Sequence, residues 1–151
     1  VSYEFVRDCG KLVHENCLLN VLVTNGTATL EVLNEILPYM DAMNIDLKGF
    51  SSEFYHYVGG DFGMVKDFIA ATAKKCHVEL TTLIIPGHND MPAMMEEEAA
   101  WIASLDPSMP LHITRYFPCY KEKAPPTEVA VLERLAAVAR KYLANVFIGN
   151  V

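Results

Sequence analysis

Asp41-Ala42-Met43-Asn44-Ile45-Asp46-Leu47-Lys48-Gly49-Phe50 alternates apolar and polar residues before it meets a glycine. Side chains of a strand point to opposite faces in turn. Asn44, Asp46 and Lys48 therefore share one face, and Met43, Ile45 and Leu47 share the other. The apolar set requires a core. The polar set puts a carboxylate and an amine on a strand otherwise fit for burial. Such groups are either satisfied internally or line a site. The stretch reads as a core strand that carries chemistry to its C-terminal end.

On the N-terminal side, residues 2–18 set Phe5, Val6, Cys9, Leu12 and Val13 at helical spacing, and residues 19–24 form a short strand closed by Asn25-Gly26. Thr29 caps a helix bearing Leu30, Leu33, Ile36 and Leu37, which Pro38 ends. On the C-terminal side, Ser51-Ser52-Glu53 starts a short helix or turn, and Asp61 starts a helix with Val65, Phe68 and Ile69 inward. Residues 77–85 are a β-branched strand. Pro86-Gly87-His88-Asn89-Asp90 is a loop whose Asp90 caps a helix burying Met95, Ala99, Trp101 and Ile102. Residues 111–117 form a strand, Thr127 opens a helix lined by Val131, Leu132, Leu135, Val138 and Tyr142, and residues 145–149 form the last strand. Regular alternation of helix and strand means parallel strands with right-handed crossovers. Two α/β architectures satisfy it, a doubly wound sheet and a (β/α) barrel, and both place their sites at the C-terminal ends of the strands.

The 151 residues are 52% hydrophobic, and the mean hydropathy of +0.17 is high for so short a chain. This reads as strands buried on both faces. No apolar run reaches the roughly 20 residues of a membrane helix, and no signal peptide is visible. A net charge of −7 argues against a basic nucleic-acid surface. Cys9, Cys17, Cys76 and Cys119 are widely spaced with no C-x-x-C pattern, which fits reduced residues in a cytoplasmic protein, with Cys9 and Cys76 as core filler. Glu96-Glu97-Glu98 reads as a solvated helix face.

The strand ends collect the remaining chemistry: Thr24-Asn25-Gly26, then Asp46 and Lys48, then the Pro86-Gly87 loop, then Thr114, Arg115 and Tyr116, then Asn150. Lys48 is open to three readings: a Schiff-base amine, a point charge for an anion, or a simple partner of Asp46. Asp46 sits deeper and is less easily explained as a surface charge; the alternative is a structural carboxylate bonded to backbone amides. Asn44 reads as a structural hydrogen-bonder. His112 shares a face with Thr114 and Tyr116 and is either a satisfied core histidine or a site residue. His88 is a loop residue, and His14, His56 and His77 read as surface. No phosphate loop, G-x-G-x-x-G, Gly-x-Ser-x-Gly or H-x-x-x-H occurs.

Thr24-Asn25-Gly26, Asn44-Ile45-Asp46-Leu47-Lys48-Gly49, Leu83-Ile84-Ile85-Pro86-Gly87-His88-Asn89-Asp90 and His112-Ile113-Thr114-Arg115-Tyr116-Phe117-Pro118, in this order, resemble the radical S-adenosylmethionine (radical SAM) superfamily. The branch they resemble is that of pyruvate formate-lyase-activating enzymes. Ala42 to Phe50, Ala103-Ser104-Leu105-Asp106-Pro107 and Phe147-Ile148-Gly149-Asn150-Val151 are similar to its AmmeMemoRadiSam-system type. The resemblance implies a partial (β/α) barrel. It also implies S-adenosylmethionine and a [4Fe-4S] cluster as cofactors of the intact enzyme. There the reduced cofactor yields a 5′-deoxyadenosyl radical that abstracts hydrogen, in the activating enzymes from a glycine of a partner protein.

Carried over by position, the resemblance implies cofactor-facing roles for Thr24, Asn25, Asp46, Lys48, Thr81 and His112, with the Pro86-Gly87 loop near the adenine. Thr81 stands where activating enzymes often carry Arg. Val23 stands where they often carry Asp, which weakens a cation site shared with Asp46. The C-x-x-x-C-x-x-C cluster loop and the G-G-E-like strand lie upstream of Val1 in relatives. The expectation is one incomplete domain over residues 1–151, the C-terminal part of the barrel, with the N-terminal half and a protein substrate as partners and no cluster ligands of its own. Two other classes compete: an aldolase using Lys48 as a Schiff base, and a non-catalytic α/β module that binds a partner through its acidic helices.

Overall fold

The computed structural model describes residues 2–151. Helix α1 (Tyr3–Glu15) leads into β1 (Val21–Thr24), then α2 (Leu30–Ile36) with a 3₁₀ turn (Leu37–Tyr39), β2 (Ala42–Asp46), α3 (Ser52–Tyr57) and α4 (Phe62–Thr72). These are followed by β3 (His77–Ile84), α5 (Pro92–Leu105), β4 (Leu111–Arg115), α6 (Val129–Ala139) and β5 (Val146–Gly149). The strands form one parallel sheet in the order β1-β2-β3-β4-β5.

That order decides between the two architectures. A doubly wound sheet reverses its strand order at a switch point. Here every strand lies beside its successor, so right-handed crossovers put the helices on one side only. The result is a half-barrel. Its helix side is the core: Met43, Ile45, Val78, Leu80, Ile84, Leu111 and Ile113 pack against Leu33, Phe68, Ile69, Met95, Ile102, Leu132 and Leu135. A fully buried Leu or Ile contributes about 2 kcal/mol. The opposite, concave face is uncovered, and the burial of β3 alternates strictly along its length. The expectation of strands buried on both faces is thus corrected. The concave face is only partly apolar, and Val23 there is 73% exposed.

Thr29, Ser51 and Asp61 cap their helices as expected, each accepting from a backbone N–H of the first turn. α2 stops at Ile36 as Pro38 requires, and Pro38 lies in the separate 3₁₀ turn that follows. Two local readings change. Asp90 does not cap α5: Met91 holds that position, and Pro92 at the first helical turn needs no N–H partner. Thr127 precedes the true N-cap, Glu128; it is buried, and its hydroxyl donates to the Ile84 carbonyl. On α1, Phe5 and Leu12 are exposed although their spacing predicts burial, because α1 packs inward through Val6 and through Gly10, which lies against Asn20, Tyr39 and Met40. Gly26 closes the first strand-end turn at φ +68, where a side chain would press on Ile45 and Val65.

Candidate functional site

Parallel pairing aligns the concave residues into rungs. Asp46 pairs with Thr81, Thr81 with His112, and His112 with Phe147, so three of the six expected site residues lie on one rung across β2, β3 and β4. One rung nearer the strands' N-termini, Val23 pairs with Asn44 and Asn44 with Glu79. Lys48 follows β2, and its ammonium donates to Asp46 Oδ2 at 2.6 Å. Both side chains are about a third exposed, at 38% and 35%, so the pair lies at the rim of the concave face, within reach of a ligand.

The backbone of Lys48 is held from both sides. Its N–H donates to the hydroxyl of Tyr55 at 3.1 Å, and its carbonyl accepts from Asn89 Nδ2 at 2.8 Å. Burial pushes the Tyr55 hydroxyl up to about 12, so it stays neutral at that position. Asn89 is buried; it also donates to the Leu83 carbonyl and accepts from Ile85 N–H. This one side chain staples the end of β3 to the end of β2. Nothing in the sequence distinguishes it from an ordinary turn asparagine.

On the same face, Thr81 Oγ1 donates to Asn44 Oδ1 at 2.9 Å, consistent with a structural role for Asn44. His112 Nε2 lies 2.7 Å from Glu79 Oε2, and its ring stacks on Phe147 at 5.3 Å and 24°. Hydrogen bonds from His77 and His112 hold the Glu79 carboxyl below the usual carboxylate range. Glu79 escaped the sequence reading, although its alternation with Thr81 along β3 was a usable signal. His77 is thereby a concave-face residue as well as a surface one.

Thr24 and Asn25 are not brought to this rung. Thr24 pairs with buried Ile45 and so belongs to the helix side; its Oγ1 accepts from Gly26 N–H, and Asn25 Oδ1 accepts from Thr27 N–H. Both side chains serve the turn. They line an open, largely apolar cavity of about 500 Å³ with Tyr3, Val6, Ile36 and Phe68. His14 is not a simple surface residue, because it bonds Asp41 at 2.9 Å. Above the Pro86-Gly87 loop, His88 stacks on Tyr57 at 4.5 Å, and the Tyr57 hydroxyl donates to Glu122.

Glu98 departs furthest from expectation. It is 1% exposed and lies behind β3, where the Thr82 hydroxyl donates to it; Glu96 and Glu97 are solvated. Burial pushes its carboxyl up to about 8 against the opposing pull of that hydrogen bond.

The cysteines fit no iron–sulfur cluster. Cys9 lies on α1, Cys17 follows it, Cys76 precedes β3 and Cys119 sits in the β4–α6 loop, all as free thiols. Among the described residues no group of three or more His, Cys, Asp or Glu side chains is arranged to hold a metal ion. Among the same residues no helix is long and apolar enough to cross a membrane.

No family model matches the chain. It is 35% identical over 162 aligned residues to an uncharacterized protein of Methanocaldococcus jannaschii, an alignment that takes in all of this chain and 46% of that protein. The chain thus spans about half the length of the curated relative it matches. Among solved structures, a domain of pyruvate-formate lyase-activating enzyme from Bacteroides vulgatus superposes with a TM-score of 0.83 at 20% identity, over 98% of this chain and 91% of that one. A radical SAM methyltransferase from Sphaerobacter thermophilus superposes with a TM-score of 0.69 at 14% identity, over 92% of this chain and 44% of the enzyme. With parallel strands in sequential order and helices on one side, the chain has the partial-barrel fold of the radical SAM enzymes, in the form seen in the pyruvate-formate lyase-activating enzyme domain.

Proposed function

We propose that this chain is a single incomplete domain forming one wall of a radical SAM enzyme of the activating type, and that its concave face binds S-adenosylmethionine beside the C-terminal end of β2. The observation that carries this reading is the rung Asp46–Thr81–His112 with Lys48 just beyond it, on a face left open. The donor set suits an amino-acid nucleoside: an ammonium for a carboxylate, a carboxylate for hydroxyl or amino groups, and a hydroxyl and an imidazole for further hydrogen bonds. Clamping of the Lys48 backbone by Tyr55 and Asn89 fixes where that charge stands. When bound and reduced, the cofactor supplies a carbon radical for hydrogen abstraction. The [4Fe-4S] cluster that drives this does not fit the cysteines of this chain and belongs to the other part of the intact protein. That other part closes the barrel, and the hydrogen donor is a partner protein. Free thiols and the absence of a membrane-crossing helix among the described residues accord with a cytoplasmic enzyme.

Asp46 holds the Lys48 Nζ at 2.6 Å, so the two side chains meet a ligand as one polar pair at the rim. In the full-length protein, Lys48→Met is expected to raise KM for S-adenosylmethionine about tenfold, the effect of one lost charge-assisted hydrogen bond. Asp46→Asn is expected to lower 5′-deoxyadenosine formation as well. Unchanged activity in both variants would leave a non-catalytic module. Borohydride trapping of a carbonyl compound on Lys48 would establish the aldolase instead, and a full-length protein without a reducible cluster by electron paramagnetic resonance would overturn the proposal. The 151-residue chain alone is expected to retain no stoichiometric iron after anaerobic reconstitution.

A further inference from the structure

Glu79 sits one rung below the proposed cofactor row, two residues before Thr81 on the same face of β3. Its carboxylate lies between two imidazoles: Oε2 is 2.7 Å from His112 Nε2, and Oε1 is 3.2 Å from His77 Nε2. The His112 ring is fixed a second way by its stack on Phe147. A carboxylate is an acceptor only, so the proton of a neutral His112 must reside on Nε2. Nδ1, which has no hydrogen-bond partner within the protein among the described residues, is then left as an acceptor.

We infer that Glu79 is a positioning residue: it holds His112 in the Nε2–H tautomer and in one ring orientation, so that Nδ1 accepts a hydrogen bond from an amino or hydroxyl group of the bound nucleoside. The inference rests on the reading of the concave face as an S-adenosylmethionine site. His77 takes the second carboxylate oxygen and is 58% exposed at the start of β3, too far along the strand to serve the row itself.

The first test needs no ligand. Nitrogen-15 spectra of the histidine side chains, recorded at mildly alkaline pH where imidazoles are neutral, are expected to show His112 with its proton on Nε2 in the wild type. Glu79→Gln keeps an acceptor oxygen and is expected to keep that tautomer. Glu79→Leu is expected to give a mixture. An unchanged His112 signal in Glu79→Leu would overturn the inference.

The second test measures equilibrium binding of S-adenosylmethionine to the full-length protein. Glu79→Leu is expected to weaken binding about tenfold, whereas Glu79→Gln stays within about threefold of wild type, the scale of one well-placed hydrogen bond. In a His112→Ala background, Glu79→Leu is expected to add no further loss, because it acts only through that ring. Equal losses in both backgrounds would overturn the positioning role. If His112→Ala itself binds like wild type, the cofactor-site reading fails, and the tautomer measurement alone then decides the role of Glu79.

Discussion

Replacing Asn89 with alanine is expected to destabilise the 151-residue chain by about 3 kcal/mol, read from urea unfolding. The side chain is 2% exposed and makes three hydrogen bonds, with Ile85 N–H, the Leu83 carbonyl and the Lys48 carbonyl. Removing it leaves the half-buried Ile85 N–H without its partner, where an unsatisfied group costs roughly 1–3 kcal/mol, and forfeits the tie between two strand ends. The neighbouring Asp90 caps no helix, so Asp90→Ala is expected to change stability by less than about 0.5 kcal/mol. Comparable effects of the two substitutions would show that the loop is held by something other than Asn89. The loss reaches beyond stability, because the released carbonyl belongs to Lys48. In the full-length protein, Asn89→Ala is expected to affect cofactor binding even though its side chain lies off the concave rung.

Glu98 is expected to tilt stability against high pH. Its carboxyl titrates at about 8 in the folded chain, against an ordinary value of 4.5. Between those values the folded chain holds a proton that the unfolded chain releases, so unfolding becomes easier as pH rises through the window. The contribution is fully present below the unfolded value and gone above about 8. From about pH 5 to about pH 7 it amounts to roughly 3 kcal/mol. Glu98→Gln removes the titration while keeping an oxygen for the Thr82 hydroxyl. The variant is expected to gain on the wild type by that amount over the same interval, while carboxylates with lowered values, such as Glu79 and Asp41, contribute equally to both proteins and cancel. Parallel pH profiles in urea unfolding would show that Glu98 is ionised and otherwise compensated.

Much of the fold was legible because it rests on local periodicity. The alternation in residues 41–48 fixes which face of β2 each side chain takes, and the caps at Thr29, Ser51 and Asp61 announce their helices through the side chains that accept their first N–H groups. The departures come where distant segments meet. Asp90 looks like a cap but yields to Pro92, and Thr127 looks like a cap but turns inward to the Ile84 carbonyl. Glu98 reads as one of three solvated acids, yet its turn of α5 faces β3.

The candidate site divides in the same way. Asp46 and Lys48 could be placed at the end of β2 from the chain alone, since alternation and strand length are properties of each segment, whereas Thr81 and His112 were singled out through the family resemblance. That Asp46, Thr81 and His112 share a rung depends on the register between strands, a relation among segments more than thirty residues apart. Register also sent Thr24 to the helix side and brought in Glu79, which local spacing could not pair with His112. The sequence by itself determined the elements, their parallel alternation and the polar face of β2, because these follow from backbone geometry and hydrophobic period. Only the tertiary structure decided that the helices cover one side of the sheet, that the concave face is open, and which polar groups meet there, because those outcomes depend on strand order and register.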